Sequence, residues 1–186
     1  MIMKRIFFAG FEQPTSNYAT LRGHIATLCI KYDYEAVFPS ESKGMRNKSG
    51  KLYDTPLDEA EAIYRESLQR IDSSDAVIVN LNYFNACGFC TNDTAFMVGY
   101  AASKEKHILG FVDTEHLSEP RCSARNYMYC APDEGKVLSR LASRMVACAI
   151  SVIIRGSVED CLEVTFSDPK EEKTQEYFGP TTVEDL

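Results

Sequence analysis

The sequence lacks a surplus of basic residues and lacks any long hydrophobic run. Its 186 residues include 27 acidic and 20 basic side chains, giving a formal net charge of −7. This balance argues against a non-specific nucleic-acid binder, because contacts to the phosphate backbone require a surplus of Lys and Arg. The longest nearly apolar run, Met145–Ile154, has ten residues. A helix that crosses a bilayer needs about 20, so we expect no membrane span.

The cysteines do not form the even, closely spaced set of a disulfide scaffold. There are seven of them, and an odd, scattered set is typical of reduced thiols in a cytoplasmic protein. The first residues contain no apolar stretch followed by a cleavage site, so no secretory signal is expected. Hydrophobic residues make up 45% of the chain, which is enough for the core of one domain.

Short apolar runs alternate with stretches of helical periodicity along the chain. This alternation predicts an α/β fold: a flavodoxin-like or Rossmann-like three-layer sandwich with a five-stranded parallel sheet. We expect the domain to span residues 1–167 and a polar tail to follow over 168–186. The predicted strands are Lys4–Ala9, Tyr34–Phe38, Ala76–Leu81, Ile108–Val112 and Val152–Ile154, and the predicted helices between and after them include Asp93–Ser103, Val137–Ala149 and Ser157–Thr165.

Ligands of such sheets bind beyond the carboxyl ends of the strands, at the point where the strand order reverses. The loops at this edge begin at Gly10, Asn82 and Asp113. The first loop has a single glycine, so it is neither a dinucleotide fingerprint nor a phosphate-binding loop. The sequence therefore predicts no bound cofactor.

The sharpest local pattern is Cys87-Gly88-Phe89-Cys90. It lies between a predicted strand and a predicted helix, where two thiols would have lowered pKa values suited to redox chemistry. A zinc site would need two further ligands, for which Cys122, Cys130 and His116 are the candidates. No second short cysteine pair exists, so ordinary loop residues and no metal are the favoured interpretation.

The stretch from Ile63 to Phe111 resembles the nucleoside 2-deoxyribosyltransferase family. The similarity is clearest in Ser74–Leu81 and in Gly99-Tyr100-Ala101-Ala102, and Lys4–Gly10 is similar to that family's first strand and turn. The resemblance implies a flavodoxin-like fold, a nucleoside or nucleotide ligand, and a homo-oligomer with shared sites. It also implies cleavage of an N-glycosidic bond by a Glu nucleophile through a covalent sugar intermediate, as in retaining glycoside hydrolysis.

Four positions of the family motif lack the expected chemical group. Met97 stands where the family has its nucleophilic Glu, and Phe7 stands where a Tyr orients that Glu. Thr91 replaces an Asp near the base, and Ser67 replaces the Asp or Asn that holds sugar hydroxyls. Because a thioether cannot act as an ionised oxygen nucleophile, we expect a protein that binds a nucleoside or nucleotide but has lost the transfer reaction.

Asp93 offers an alternative catalytic carboxylate, because it lies four residues before Met97 and so shares its side of a helix. An active N-glycosidase or deoxyribosyltransferase using Asp93 is therefore a second hypothesis, although helix capping is the simpler role for this residue. A thiol-redox or zinc protein is a third. The predicted binding residues are Phe7, Gly10, Phe11, Ser67, Asn82, Thr91 and Met97, of which the aromatic and thioether side chains would pack on a base.

Overall fold

The computed structural model describes residues 3–11, 18–40, 55–82, 92–112 and 144–166. Within these ranges five strands form one parallel sheet in the order β2-β1-β3-β4-β5. The predicted five-stranded α/β fold is thereby confirmed. The strands are β1 (Lys4–Ala9), β2 (Tyr34–Val37), β3 (Ala76–Asn80), β4 (His107–Val112) and β5 (Val152–Arg155).

Five helices of the described ranges cover the two faces of the sheet. Two of them begin with a capping box, in which Thr55 pairs with Asp58 and Ser157 pairs with Asp160. None is long and apolar enough to span a membrane. The helices are α1 (Tyr18–Lys31), α2 (Pro56–Asp72), α3 (Asn92–Ser103), α4 (Arg144–Ala149) and α5 (Val158–Val164).

The strand side chains divide between two hydrophobic clusters, one on each face of the sheet. Consecutive residues of a strand point to opposite faces, so Phe7 belongs to one cluster and Phe8 to the other. The α2–α3 cluster contains Phe7, Val77, Val79, Ile71 and Met97, together with residues of α4. The α1–α5 cluster contains Ile6, Phe8, Ile78, Ile25 and Leu162. Burial on both faces explains why the strand sequences are continuous apolar runs.

Candidate functional site

The turn after β1 presses against the end of β3. Gly10 has a φ of 83°, in the left-handed region that favours glycine, and a Cβ at this position would lie 2.6 Å from the backbone oxygen of Asn80. Asn80 is only 4% exposed, and its Oδ1 accepts a hydrogen bond from the backbone N–H of Asn82 at 3.0 Å. Since the strand order reverses between β1 and β3, these residues form the floor of the candidate ligand site.

Hydrogen bonds connect the segment that follows β2 to helix α2. The backbone N–H of Ser40 donates to Ser67 Oγ at 3.3 Å, and the Ser40 hydroxyl donates to Glu66 Oε2 at 2.7 Å. Arg70 donates to the backbone oxygen of Phe38 at 2.7 Å. Ser67 is 8% exposed, and its oxygen accepts a backbone hydrogen bond. Sequence reasoning missed Glu66 at this edge, although the Glu66–Arg70 spacing of four residues was a usable signal for an ion pair on α2.

Phe7 and Met97, to which the family resemblance assigns the tyrosine and nucleophile positions, are both buried in the α2–α3 cluster. Phe7 is 0% exposed and Met97 is 5% exposed. Met97 lies on the buried side of α3 with Thr94, Val98 and Ala101. Two positions that would carry a hydroxyl and a carboxylate in the family motif therefore contribute hydrocarbon and sulfur to the core.

Asp93 is exposed in the first turn of α3. A carboxylate at this end of the helix interacts favourably with the helix dipole. Asp93 and Met97 therefore lie in different environments: the side chain of Met97 is in the core, whereas that of Asp93 is exposed to solvent. A catalytic role for Asp93 stays a prediction.

The structure places Phe11 in the α1–α5 cluster, on the opposite face of the sheet from Phe7 and Met97. Phe11 is 3% exposed, and its ring centroid lies 6.1 Å from that of Phe8 and 6.3 Å from that of Phe111. The joint packing of Phe7, Phe11 and Met97 on one base is therefore not the arrangement seen here. Whether Phe11 contacts a ligand stays a prediction.

Several predicted positions lie outside the described residues: Thr91, Cys87, Cys90, His116, Cys122 and Cys130. Across the described ranges, no group of three or more His, Cys, Asp or Glu side chains is arranged to hold a metal ion. Two described thiols are poor nucleophiles, because burial raises the pKa of Cys29 to about 12 and raises that of Cys161 as well.

Comparisons with known proteins connect this arrangement to one family. The sequence profile described as nucleoside 2-deoxyribosyltransferase matches residues 6–141. No curated protein matches the chain.

The fold is shared with a solved structure of low sequence identity. A conserved protein from Enterococcus faecalis V583 has a TM-score of 0.54 and 16% identity, with 87% of this chain and 96% of that chain covered. A 2-deoxyribosyltransferase from Bacillus psychrosaccharolyticus has 14% identity over 57% of this chain and 71% of that chain. Its TM-score is 0.41.

Proposed function

This chain belongs to the nucleoside 2-deoxyribosyltransferase family, and from that membership we propose that it binds a nucleoside or nucleotide without catalysing deoxyribosyl transfer. The observation that carries the proposal is the burial of Phe7 and Met97 in one hydrophobic cluster. These residues stand where the family motif has an orienting tyrosine and a nucleophilic glutamate.

The chemistry of the family step requires a carboxylate at position 97. Deoxyribosyl transfer forms a bond between a carboxylate oxygen and C1′ of the sugar while the base departs. The sulfur of Met97 carries no negative charge, and the phenyl ring of Phe7 has no hydroxyl to orient a nucleophile. Removing an activated nucleophile typically lowers the rate by many orders of magnitude. The family reaction therefore has no nucleophile at its usual position.

The floor of the site still supports ligand binding. Gly10 brings the backbone of the first turn against the end of β3, and Asn82 follows as a half-buried polar residue. Sites at this edge of a parallel sheet hold ligands through backbone groups and a few polar side chains. Neither kind of contact depends on a nucleophile, so a protein without the catalytic group can still bind the ligand.

Base release and binding, measured on the same protein, test this proposal. We expect calorimetric binding of deoxynucleosides or their 5′-monophosphates, with no free base detected by chromatography after prolonged incubation. Turnover that disappears in Asp93→Ala would replace the proposal with an enzyme that uses Asp93. Asp93→Asn is the matched control, since asparagine has nearly the same size as aspartate but supplies no carboxylate.

A homo-oligomeric state is part of the proposal, because the family resemblance implies sites shared between subunits. Sedimentation velocity over a range of concentrations measures the assembly. A monomer at every concentration would contradict a shared site.

A cytoplasmic location is also proposed. Cys29 and Cys161 are free and buried in the core, which is compatible with a reducing compartment. Fractionation of cells that produce the protein would measure its location, and recovery from an oxidising compartment would contradict this part of the proposal.

A further inference from the structure

Helix α2 extends beyond the carboxyl edge of the sheet. Its last residue, Asp72, leads back to the start of β3, so its first residue points towards the carboxyl edge. Ser67 bonds to Ser40, which lies just past the end of β2. At 1.5 Å per residue, the part of α2 from Pro56 to Glu66 projects roughly 16 Å past this level. The first three turns of α2 therefore extend past the carboxyl edge of the sheet, the edge at which the candidate site lies, and residues 56–66 are called the overhanging half of α2.

One face of α2 is buried near the C-terminal end of the helix and exposed to solvent near its N-terminal end. Ala60, Tyr64, Ser67 and Ile71 follow one another at spacings of four, three and four residues, which places them on one helix face. Ser67 and Ile71 are 8% and 0% exposed, whereas Tyr64 is 51% exposed and Ala60 is also exposed. The helix face that is buried at Ser67 and Ile71 thus extends past the edge of the sheet. There, about half of the Tyr64 surface is not covered by the described residues.

Phe96 of α3 meets this overhanging face. It lies in the second turn of the helix, next to Met97 in sequence, and is 50% exposed. The ring centroids of Tyr64 and Phe96 are 5.8 Å apart, with an angle of 47° between the ring planes. This is an ordinary aromatic pairing distance. About half of each side chain remains available for another flat partner.

We propose that Tyr64 and Phe96 form an aromatic wall of the ligand site that packs against the heterocyclic base. The inference rests on the proposed function and adds the side chains that contact the base, to which it assigns a preference for base-bearing ligands over bare sugar phosphates. An aromatic wall accepts purines and pyrimidines alike, because every base has a π face. It supplies contact area without a catalytic group.

The charges around the wall favour an uncharged ring over a second copy of this chain. The overhanging half of α2 carries four carboxylates, of which Glu61 pairs with Arg65 and Glu66 pairs with Arg70, so its net charge is negative. Two such surfaces brought together would repel each other, in a chain whose net charge is −7. A neutral base meets no such repulsion, so the chemistry of the patch fits a nucleobase.

Calorimetric titration with base-bearing and base-free probes tests the wall. The probes are thymidine, 2′-deoxyadenosine, their 5′-monophosphates, and 2-deoxyribose 5-phosphate. We expect Tyr64→Ala and Phe96→Ala each to weaken binding of the base-bearing probes by about tenfold. The affinity for 2-deoxyribose 5-phosphate should not change. Tyr64→Phe retains the ring and should recover the affinity for the base-bearing probes that Tyr64→Ala loses.

A matched control separates the wall from general loss of exposed apolar surface. Ile30 of α1 is 67% exposed and lies on a helix that covers the other face of the sheet, so Ile30→Ala should leave every affinity unchanged. Unaltered binding of the base-bearing probes to the Tyr64→Ala/Phe96→Ala double variant would overturn the wall and leave the proposed function intact. A wild-type protein that binds none of the five probes would overturn both.

Sedimentation of the same variants distinguishes a ligand wall from a subunit contact. The wall requires that Tyr64→Ala and Phe96→Ala keep the oligomeric state of the wild type while they lose affinity. Dissociation of the assembly in either variant, with or without loss of affinity, would assign this surface to contact between copies and overturn the inference.

Discussion

Introducing a glutamate at position 97, where the family resemblance implies the nucleophile, measures whether this position belongs to the core. Met97 is 5% exposed and belongs to the same cluster as Phe7, Ile71 and Val79. A carboxylate placed there loses most of its hydration, and this burial raises its pKa above the ordinary value of about 4.3. If the pKa in the folded protein reaches about 7, Met97→Glu loses about 3–4 kcal/mol at pH 8, at about 1.4 kcal/mol per pKa unit.

The sign of the pH dependence follows from the direction of the shift. A raised pKa means that the folded protein holds the proton more tightly than the unfolded chain does. The penalty is therefore absent below about pH 4, grows through the interval up to the folded-state pKa, and is constant above it. At pH 5 it amounts to only about 1 kcal/mol.

Urea denaturation of Met97→Glu and Met97→Gln at pH 5 and pH 8 isolates this effect. The glutamine has nearly the same shape, so the difference between the two variants removes the packing cost and leaves the cost of charge. Met145, which is 84% exposed, provides the control position, and Met145→Glu should show no comparable penalty. Equal stability of the glutamate and glutamine variants at pH 8 would refute burial at position 97 and indicate a pocket open to a carboxylate.

Three further predictions concern the site floor, the last helix and the buried thiols. Gly10→Ala should destabilise the protein by about 1–3 kcal/mol in denaturant titrations, because φ is 83° and the new Cβ meets Asn80 O at 2.6 Å; wild-type stability would contradict this geometry. Ser157→Ala should cost about 1 kcal/mol, because it removes the capping box with Asp160; an unchanged thermal midpoint would argue against that cap. Alkylation at pH 8, mapped by mass spectrometry, should modify the exposed Cys148 and leave Cys161 unmodified, because burial raises the pKa of Cys161. Equal rates of alkylation at the two thiols would contradict the burial of Cys161.

The sheet could be predicted from sequence because each strand is a compact apolar run buried on both faces. The differences are confined to strand ends. Phe38 and Leu81 were predicted to close their strands, whereas β2 ends at Val37 and β3 ends at Asn80. Pro39 follows and has no backbone N–H to continue a ladder. The partners that set each last residue are distant in sequence, so a local pattern fixes strand ends only to within a residue or two.

Strand periodicity could not predict that Phe7 and Phe11 lie on opposite faces of the sheet. Residues 7 and 11 are four apart, so an uninterrupted strand would place both side chains on one face. The left-handed backbone at Gly10 breaks that alternation, and Phe11 enters the α1–α5 cluster while Phe7 stays in the α2–α3 cluster. A single glycine in a sequence does not reveal its φ, so separating the two aromatic residues required the structure.

Of the four positions at which the family resemblance implies a replaced group, three are described, and they lie on three different elements. Ser67 on α2 accepts a backbone hydrogen bond from Ser40, while Phe7 on β1 and Met97 on α3 fill a common hydrophobic cluster. A glutamate introduced at position 97 would therefore share a hydrophobic cluster with the phenyl ring of Phe7, at which the family resemblance implies a tyrosine hydroxyl. Because residues that act as a unit are strongly non-additive in catalysis, Met97→Glu alone should not restore turnover. Adding Phe7→Tyr is the smallest change that returns both a charge and a group to orient it.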